Sequence, residues 1–187
     1  IHPSASVGIA LYPTHGRDYE TLRRHADLAM YRAQSGTKGG VAFFTQDLGR
    51  QATARLTLEQ RLREAVSGGE FRCALQKKID LRTGGIVGFE ALARWVDARG
   101  GVRSPAEFLP LAGELGLLDD ITMLVVGDLI RRLPALDAMF GTGTRYSLNV
   151  SPAQSTNIAF MLKLTRRLGA VDGTRFIVEL TEEALAS

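Results

Sequence analysis

One cysteine among 187 residues, Cys73, excludes an intramolecular disulfide, and without a second cysteine or a Cys/His cluster there is no zinc-type site. A reducing, cytoplasmic compartment fits that usage. Long apolar runs are lacking too: the longest aliphatic stretch of note, Ile121 to Val126, falls far short of the roughly 20 residues a membrane helix needs. No basic-then-apolar leader precedes Ile1, so this stretch is expected to be soluble, with an anchor lost upstream still compatible. The chain starts without Met and stops just after a helix start at Thr181-Glu182-Glu183-Ala184-Leu185, so a fragment is expected. Blocks of like charge are absent as well. The 23 Lys and Arg are scattered among 20 acids for a net charge of +3, which argues against a platform for a nucleic-acid polymer and leaves a phosphate-bearing ligand compatible. With 45% hydrophobic and 23% charged residues, the composition is that of a soluble, packed protein and not of a disordered one.

What is present reads as alternating strands and helices. Ser6 to Leu11 alternates Val7, Ile9 and Leu11 with smaller residues before Pro13 and Gly16, which predicts a strand running into a turn. From a cap at Asp18, Leu22, His25, Ala26, Ala29, Met30 and Ala33 recur at helical spacing until Gly36. His25 lies on that apolar face, where a packing role is expected. Val41 to Phe44 closes a short strand, and about 50–67 is a helical connector with Leu58, Leu62, Ala65 and Val66 on one stripe. Phe71 to Leu81 is a strand, and Arg82-Thr83-Gly84-Gly85 a hairpin turn into a second one.

That second strand, Phe89-Glu90-Ala91-Leu92-Ala93-Arg94-Trp95, organises the chain. Side chains alternate across a strand, so Glu90, Leu92 and Arg94 share one face and Phe89, Ala91, Ala93 and Trp95 the other. Ser104-Pro105-Ala106-Glu107 then signs a helix start, and Gly116 its stop. A further helix runs from Asp119 or Asp120 to Leu133, where Pro134 is expected to break it. Tyr146 to Val150 is a strand with Ser147 and Asn149 on one face, Ser155 to Leu168 one helix, and Arg175 to Leu180 a strand with Ile177 and Glu179 sharing a face. The alternation implies an α/β fold with a parallel sheet, whose chemistry collects at the carboxyl ends of the strands. Glu90, Asn149 and Glu179 are hard oxygen donors and should not stand beside an apolar sheet without a positive partner, which suits Mg²⁺ or Mn²⁺. Arg94 would then hold a phosphate oxygen, giving metal-assisted attack of water on a phosphodiester. On the strand alone, an ion pair or solvated charges remains the plain alternative.

Two resemblances sharpen this. Gly8-Ile9-Ala10-Leu11-Tyr12-Pro13 and Ala26-Asp27-Leu28-Ala29-Met30-Tyr31-Arg32-Ala33 resemble the C-terminal end of a GGDEF (diguanylate cyclase) domain over about 1–45. Gln34 and Thr37-Lys38-Gly39 depart from that family's Lys and Gly-Arg-Asn turn, with Lys38 in a matching basic position; the Gly-Gly-Asp-Glu-Phe signature is absent, so no cyclase activity follows. Gln76, Gly88 to Trp95, Phe108-Leu109-Pro110-Leu111-Ala112, Ser147 to Pro152 and Val178-Glu179-Leu180-Thr181-Glu182 resemble successive motifs of the EAL family over about 53–187. The resemblance implies an incomplete TIM-like (β/α) barrel with its first strand antiparallel, preceded by the remnant of an α+β GGDEF domain. The expected division is a remnant at 1–45, a linker helix at 46–67 and the N-terminal half of an EAL domain at 68–187. It also implies a cyclic di-GMP phosphodiesterase using Mg²⁺ or Mn²⁺, with Glu90, Asn149 and Glu179 as metal ligands, Glu90 and Glu182 serving catalysis, and Gln76, Leu92 and Arg94 contacting substrate.

Where the family continues Gln-Pro-Ile, this chain has Gln76-Lys77-Lys78. Lys78 shares the face of Gln76, with a solvated ammonium as the plain expectation and a phosphate contact as the other. The family's later motifs, including a catalytic Lys and an Asp-Asp pair, would fall beyond Ser187, so the chain alone is expected to be inactive. An upstream sensor and a homodimer through the EAL and linker regions fit such a protein. Two rivals stand beside the enzyme: a non-catalytic cyclic di-GMP-binding module, and a glycosidase pairing Glu90 with Glu179, which leaves Asn149 without a role and predicts activity without metal.

Overall fold

The computed structural model describes residues 4–35 and 40–180, which divide into two compact units, 1–61 and 62–187. In the first, β1 (Val7–Ile9) and β2 (Val41–Phe43) pair in parallel across α1 (Tyr19–Ser35). Asp18 caps α1, its Oδ1 accepting the Thr21 backbone N–H at 2.8 Å, as the sequence predicts. Gly8 lets the strand lie on the helix backbone: a Cβ there would stand 2.1 Å from the Ala26 carbonyl oxygen. His25 packs as expected. Its ring stacks on Phe44 with centroids 3.8 Å apart, and its Nδ1 meets the His15 carbonyl at 2.5 Å. α2 (Gln46–Ser67) follows, four residues longer at its start than the periodicity suggests, and its Leu62 and Ala65 are fully buried.

The second unit is built on one mixed sheet in the order β3-β4-β6-β7. β3 (Phe71–Ile79) runs antiparallel to β4 (Ile86–Val96), while β4, β6 (Tyr146–Val150) and β7 (Phe176–Leu180) are parallel. A two-residue strand, β5 (Val102–Arg103), adds to the far end of β4. Two helices, α3 (Pro105–Glu114) and α4 (Leu118–Phe140), connect to β6, and α5 (Pro152–Thr156) and α6 (Ile158–Gly169) connect β6 to β7.

The alternation read from β4 decides which face is core. Phe89, Ala91 and Trp95 are buried, whereas Glu90, Leu92 and Arg94 are half-buried on the opposite face. Trp95 is fully enclosed between Phe71 and Phe108, each with its ring centroid 6.0 Å away, and its indole N–H donates to Glu70 Oε2 at 2.9 Å. Val125, Val126, Leu129 and Leu133 of α4 complete this core. Among the described residues no helix is long and apolar enough to cross a membrane.

Two expectations need correction. α4 does not stop at Leu133 but carries Pro134 inside it and runs on to Phe140, because Leu133 and Leu136 are both buried on either side of the proline. Their burial outweighs the roughly 3 kcal/mol an interior proline costs. The single helix expected over 155–168 is two. Asn157 ends the first and caps the second, its Oδ1 accepting the Phe160 N–H at 3.2 Å while its amide nitrogen donates to Asp119 Oδ2 at 2.9 Å. The start at Ser104 is as read: its backbone N–H donates to Glu107 Oε1 at 3.2 Å, with Pro105 opening the helix.

Candidate functional site

The face of the sheet away from the helices carries a ladder of polar side chains set by register. Gln76 stands opposite Glu90 in the β3–β4 pair, Glu90 opposite Ser147 in β4–β6, and Asn149 opposite Glu179 in β6–β7. Four adjacent strands therefore contribute Gln76, Glu90, Ser147, Asn149 and Glu179 to one surface. The close approach of β4 to β6 depends on Gly88, where a Cβ would meet the Arg145 carbonyl oxygen at 2.7 Å.

Two hydrogen-bonded groups result. Asn149 donates its side-chain amide to Glu90 Oε1 at 2.6 Å. Lys78, reaching across from β3, donates its ammonium to Ser147 Oγ at 2.7 Å and to Glu179 Oε1 at 2.5 Å. The Lys78 ammonium, and after it the Ser147 hydroxyl, hold the Glu179 carboxyl below the usual carboxylate range against the opposing effect of its partial burial. The expectation of a solvated Lys78 is thus overturned. Its stem crosses level with Gly88, which has no side chain to block it, and the carboxylate offers a better partner than water at that range.

At the carboxyl ends of β4 and β6, between these strands and α3 and α4, lies a cavity of about 600 Å³ lined by Ala91, Leu109, Val126 and Leu148, with Leu92 and Asn149 reaching it from the polar face. That size and a mainly apolar lining with a few polar groups suit a small-molecule ligand. Local chemistry fixes its rim: Ser151 and Gln154 form a reciprocal cap at the start of α5, with the Gln154 N–H on Ser151 Oγ at 3.3 Å and the Ser151 N–H on Gln154 Oε1 at 3.1 Å. Gln154, 5% exposed, also donates to Thr122 Oγ1 at 3.1 Å, which ties α5 to α4 beside the cavity.

Of the residues singled out from sequence, Glu90 and Asn149 are in direct contact, Glu179 is one strand further on, Gln76 faces Glu90 across the hairpin, and Leu92 shares the cavity wall with Asn149. Arg94 stands apart from them: its Nη1 donates to the Ala93 carbonyl at 2.8 Å. Glu182 and Lys38 lie outside the described residues. Sequence reasoning passed over Ser147 as a site residue and undervalued Lys78. The signal for both was the period-two alternation that places them on the faces of Asn149 and Gln76.

The donor chemistry fits a hard divalent cation. Among the described residues no three His, Cys, Asp or Glu side chains form a metal-binding group. The set here is two carboxylates and an amide, and an Asn149 that spends its nitrogen on Glu90 keeps its oxygen as a donor.

Comparison with known proteins is consistent with that chemistry. Residues 59–187 match the family model for the EAL domain. The chain is 33% identical over 187 residues to the cyclic di-GMP phosphodiesterase PdeR of Escherichia coli, covering 99% of this chain and 28% of PdeR. It is 36% identical over 130 residues to the bifunctional diguanylate cyclase/cyclic di-GMP phosphodiesterase MucR of Pseudomonas aeruginosa, covering 70% of this chain and 19% of MucR. The solved PaMucR phosphodiesterase in complex with c-di-GMP aligns with a TM-score of 0.60 at 26% identity, over 67% of this chain and 52% of that one. The chain thus spans only 19% to 28% of the length of these curated relatives.

Proposed function

This chain belongs to the EAL domain family, and on that premise we propose that it supplies a metal- and substrate-binding face of a cyclic di-GMP phosphodiesterase. One observation carries the reading: Glu90, Asn149 and Glu179 share one face of three adjacent parallel strands, with Asn149 donating to Glu90 Oε1 at 2.6 Å. In this reading the three are ligands to a divalent metal, Mg²⁺ or Mn²⁺. When bound, that ion supplies Lewis-acid polarisation of a phosphoryl oxygen and an acidified water.

The chain's own residues do the rest. Glu90, fixed by the Asn149 amide, presents a carboxylate of set orientation at the centre of the face. Leu92 forms an apolar wall where the cavity opens. Arg94, further along β4, exchanges its carbonyl partner for a phosphate oxygen, a stronger, charge-assisted contact. Gln76 contacts the nucleotide from the neighbouring strand, and Glu182 supports the metal site. Water attacks one phosphodiester, and the ring opens to a linear dinucleotide.

In the same reading, residues 1–45 are the end of a GGDEF domain, 46–67 a linker helix, and 68–187 the opening strands of a TIM-like barrel. The support is that similarity to PdeR extends over 99% of the chain, beyond the residues matched by the EAL model. An upstream sensor and self-association through the EAL and linker regions, on the cytoplasmic side, are the arrangement we propose for its input.

A second reading has one observation in its favour. The ammonium of Lys78 already lies between Glu179 and Ser147, as a non-catalytic cyclic di-GMP receptor that needs no metal would allow. Hydrolysis of cyclic di-GMP by the full-length protein, followed chromatographically with Mg²⁺ or Mn²⁺ and with chelator, separates the two. Turnover that chelator abolishes, and that Glu90→Gln lowers by at least about tenfold, supports the enzyme. Binding without turnover supports the receptor, and neither binding nor turnover refutes both.

A further inference from the structure

Lys78 occupies an unusual position for a strand residue. β3 and β7 are the two ends of the strand order, yet the Lys78 ammonium on β3 reaches Glu179 on β7, 101 positions later in sequence, over the intervening β4 and β6. Two features permit this: Gly88, its register partner on β4, offers no side chain in the way, and Ser147 on β6 provides an intermediate acceptor. The ammonium consequently satisfies, from within the chain, part of the positive charge that the acidic face requires.

We propose that Lys78 is a built-in counter-ion that competes with the divalent metal for Glu179, and so sets the metal concentration at which the site loads. The inference rests on the reading of Glu179 as a metal ligand. With the Lys78 ammonium 2.5 Å from one carboxylate oxygen, a dication bound by the same carboxylate meets a like charge within a few ångströms. The pair is 37% exposed on each side, so water screens this repulsion without abolishing it. Loading must break the Lys78–Glu179 bond or bear the repulsion, and either lowers metal affinity.

The test is Mn²⁺ binding to the full-length protein without nucleotide, read from the paramagnetic resonance signal of free aqueous Mn²⁺. Lys78→Met keeps the aliphatic stem and removes the charge; it is expected to tighten Mn²⁺ binding about tenfold, or about 1.4 kcal/mol. Lys78→Arg should remain as weak as the parent. Lys77→Met removes the same net charge from an exposed neighbour on the opposite face and should change affinity less than about twofold. Thermal melts of the three variants identify any that fails to fold, and Lys78→Arg tests the charge independently of Lys78→Met. Unchanged or weaker Mn²⁺ binding in Lys78→Met, or equal tightening in Lys77→Met, overturns the proposal. If it is overturned while chelator-sensitive hydrolysis persists, the proposed function stands without it. Tighter Mn²⁺ binding in Lys78→Met with no hydrolysis in any variant rejects the enzymatic reading and leaves the counter-ion role in place.

Discussion

Asp128 of α4 clamps the outer edge of β3, the strand that presents Gln76 and Lys78, and its removal has a consequence calculable from contacts. Asp128 is 6% exposed; its Oδ2 accepts the Cys73 backbone N–H at 3.0 Å, and its Oδ1 accepts from Arg131 at 3.1 Å. One helical turn on, Arg132 donates to the Cys73 carbonyl at 2.6 Å. The two side chains thus satisfy both backbone groups of one residue on a strand at the end of the sheet, as a further strand would. In Asp128→Ala the buried Cys73 N–H loses its acceptor, at a cost of about 1–3 kcal/mol. The loss to Arg131 adds little, since that side chain is 71% exposed and returns to water. The expected destabilisation is therefore about 1–3 kcal/mol, and Asp128→Asn, which keeps an amide oxygen for the Cys73 N–H, should lose only about half of it. Urea denaturation followed by Trp95 fluorescence reads this directly, because Trp95 is the chain's single tryptophan and is fully buried in the same unit. Faster native-state hydrogen exchange at Cys73 in the Ala variant is the local counterpart. A change below about 0.5 kcal/mol in Asp128→Ala, or a larger loss in Asp128→Asn than in Asp128→Ala, refutes the clamp.

Gly88→Ala is expected to cost about 1–3 kcal/mol, since its Cβ would press within 2.7 Å of the Arg145 backbone oxygen. It should also weaken Mn²⁺ binding by moving β6, which carries Ser147 and Asn149; a wild-type urea midpoint and metal affinity would contradict the close-approach argument. Burial pushes the Cys73 thiol up to about 11 from 9.0, so between those values the unfolded chain loses a proton that the folded chain keeps. Stability therefore falls as pH rises through that window, by at most about 1.4 kcal/mol per pH unit from this group. Urea midpoints at pH 8 and pH 10.5 should differ less in Cys73→Ala than in the parent, and an equal difference would remove Cys73 as a cause.

The elements most legible in the sequence are those whose signals are local. β4 shows a period of two over Phe89–Trp95, and the split between Phe89, Ala91 and Trp95 on one side and Glu90, Leu92 and Arg94 on the other matches their burial, with Ala93 only half-buried on the core side. The caps at Asp18 and Ser104 are visible because acceptor and partner lie within three residues. Pro134 misled because the penalty for an interior proline is local while the burial of Leu133 and Leu136 is tertiary. Asn157 was readable as a capping residue, since the polar Gln154-Ser155-Thr156-Asn157 precedes the apolar run that begins at Ile158. The contacts that matter most at the site connect distant positions: Lys78 to Glu179, Cys73 to Asp128 and Glu90 to Asn149 are separated by 101, 55 and 59 residues. Periodicity supplies the face of each such residue but not its partner, which is why Lys78 reads as solvated until the strands are ordered.

Strand direction gives the site its polarity. Because β3 runs against β4, advancing from Gln76 to Lys78 moves from the level of Glu90 back to that of Gly88, toward the amino ends of the parallel strands. Glu90 is level with Ser147, whereas Asn149 and Glu179 pair two residues nearer the carboxyl ends. Lys78 accordingly enters from the floor of the polar face, while the cavity lined by Leu92, Asn149 and Gln154 opens at the carboxyl side. The ammonium and a nucleotide held in that cavity approach from opposite ends and need not exclude one another sterically. Glu179, which Lys78 holds, does not line that cavity. A charge at the floor therefore acts on the occupancy and orientation of Glu179 rather than on the space available to the ligand, and so the counter-ion role of Lys78 should be read in metal affinity before it is read in nucleotide affinity.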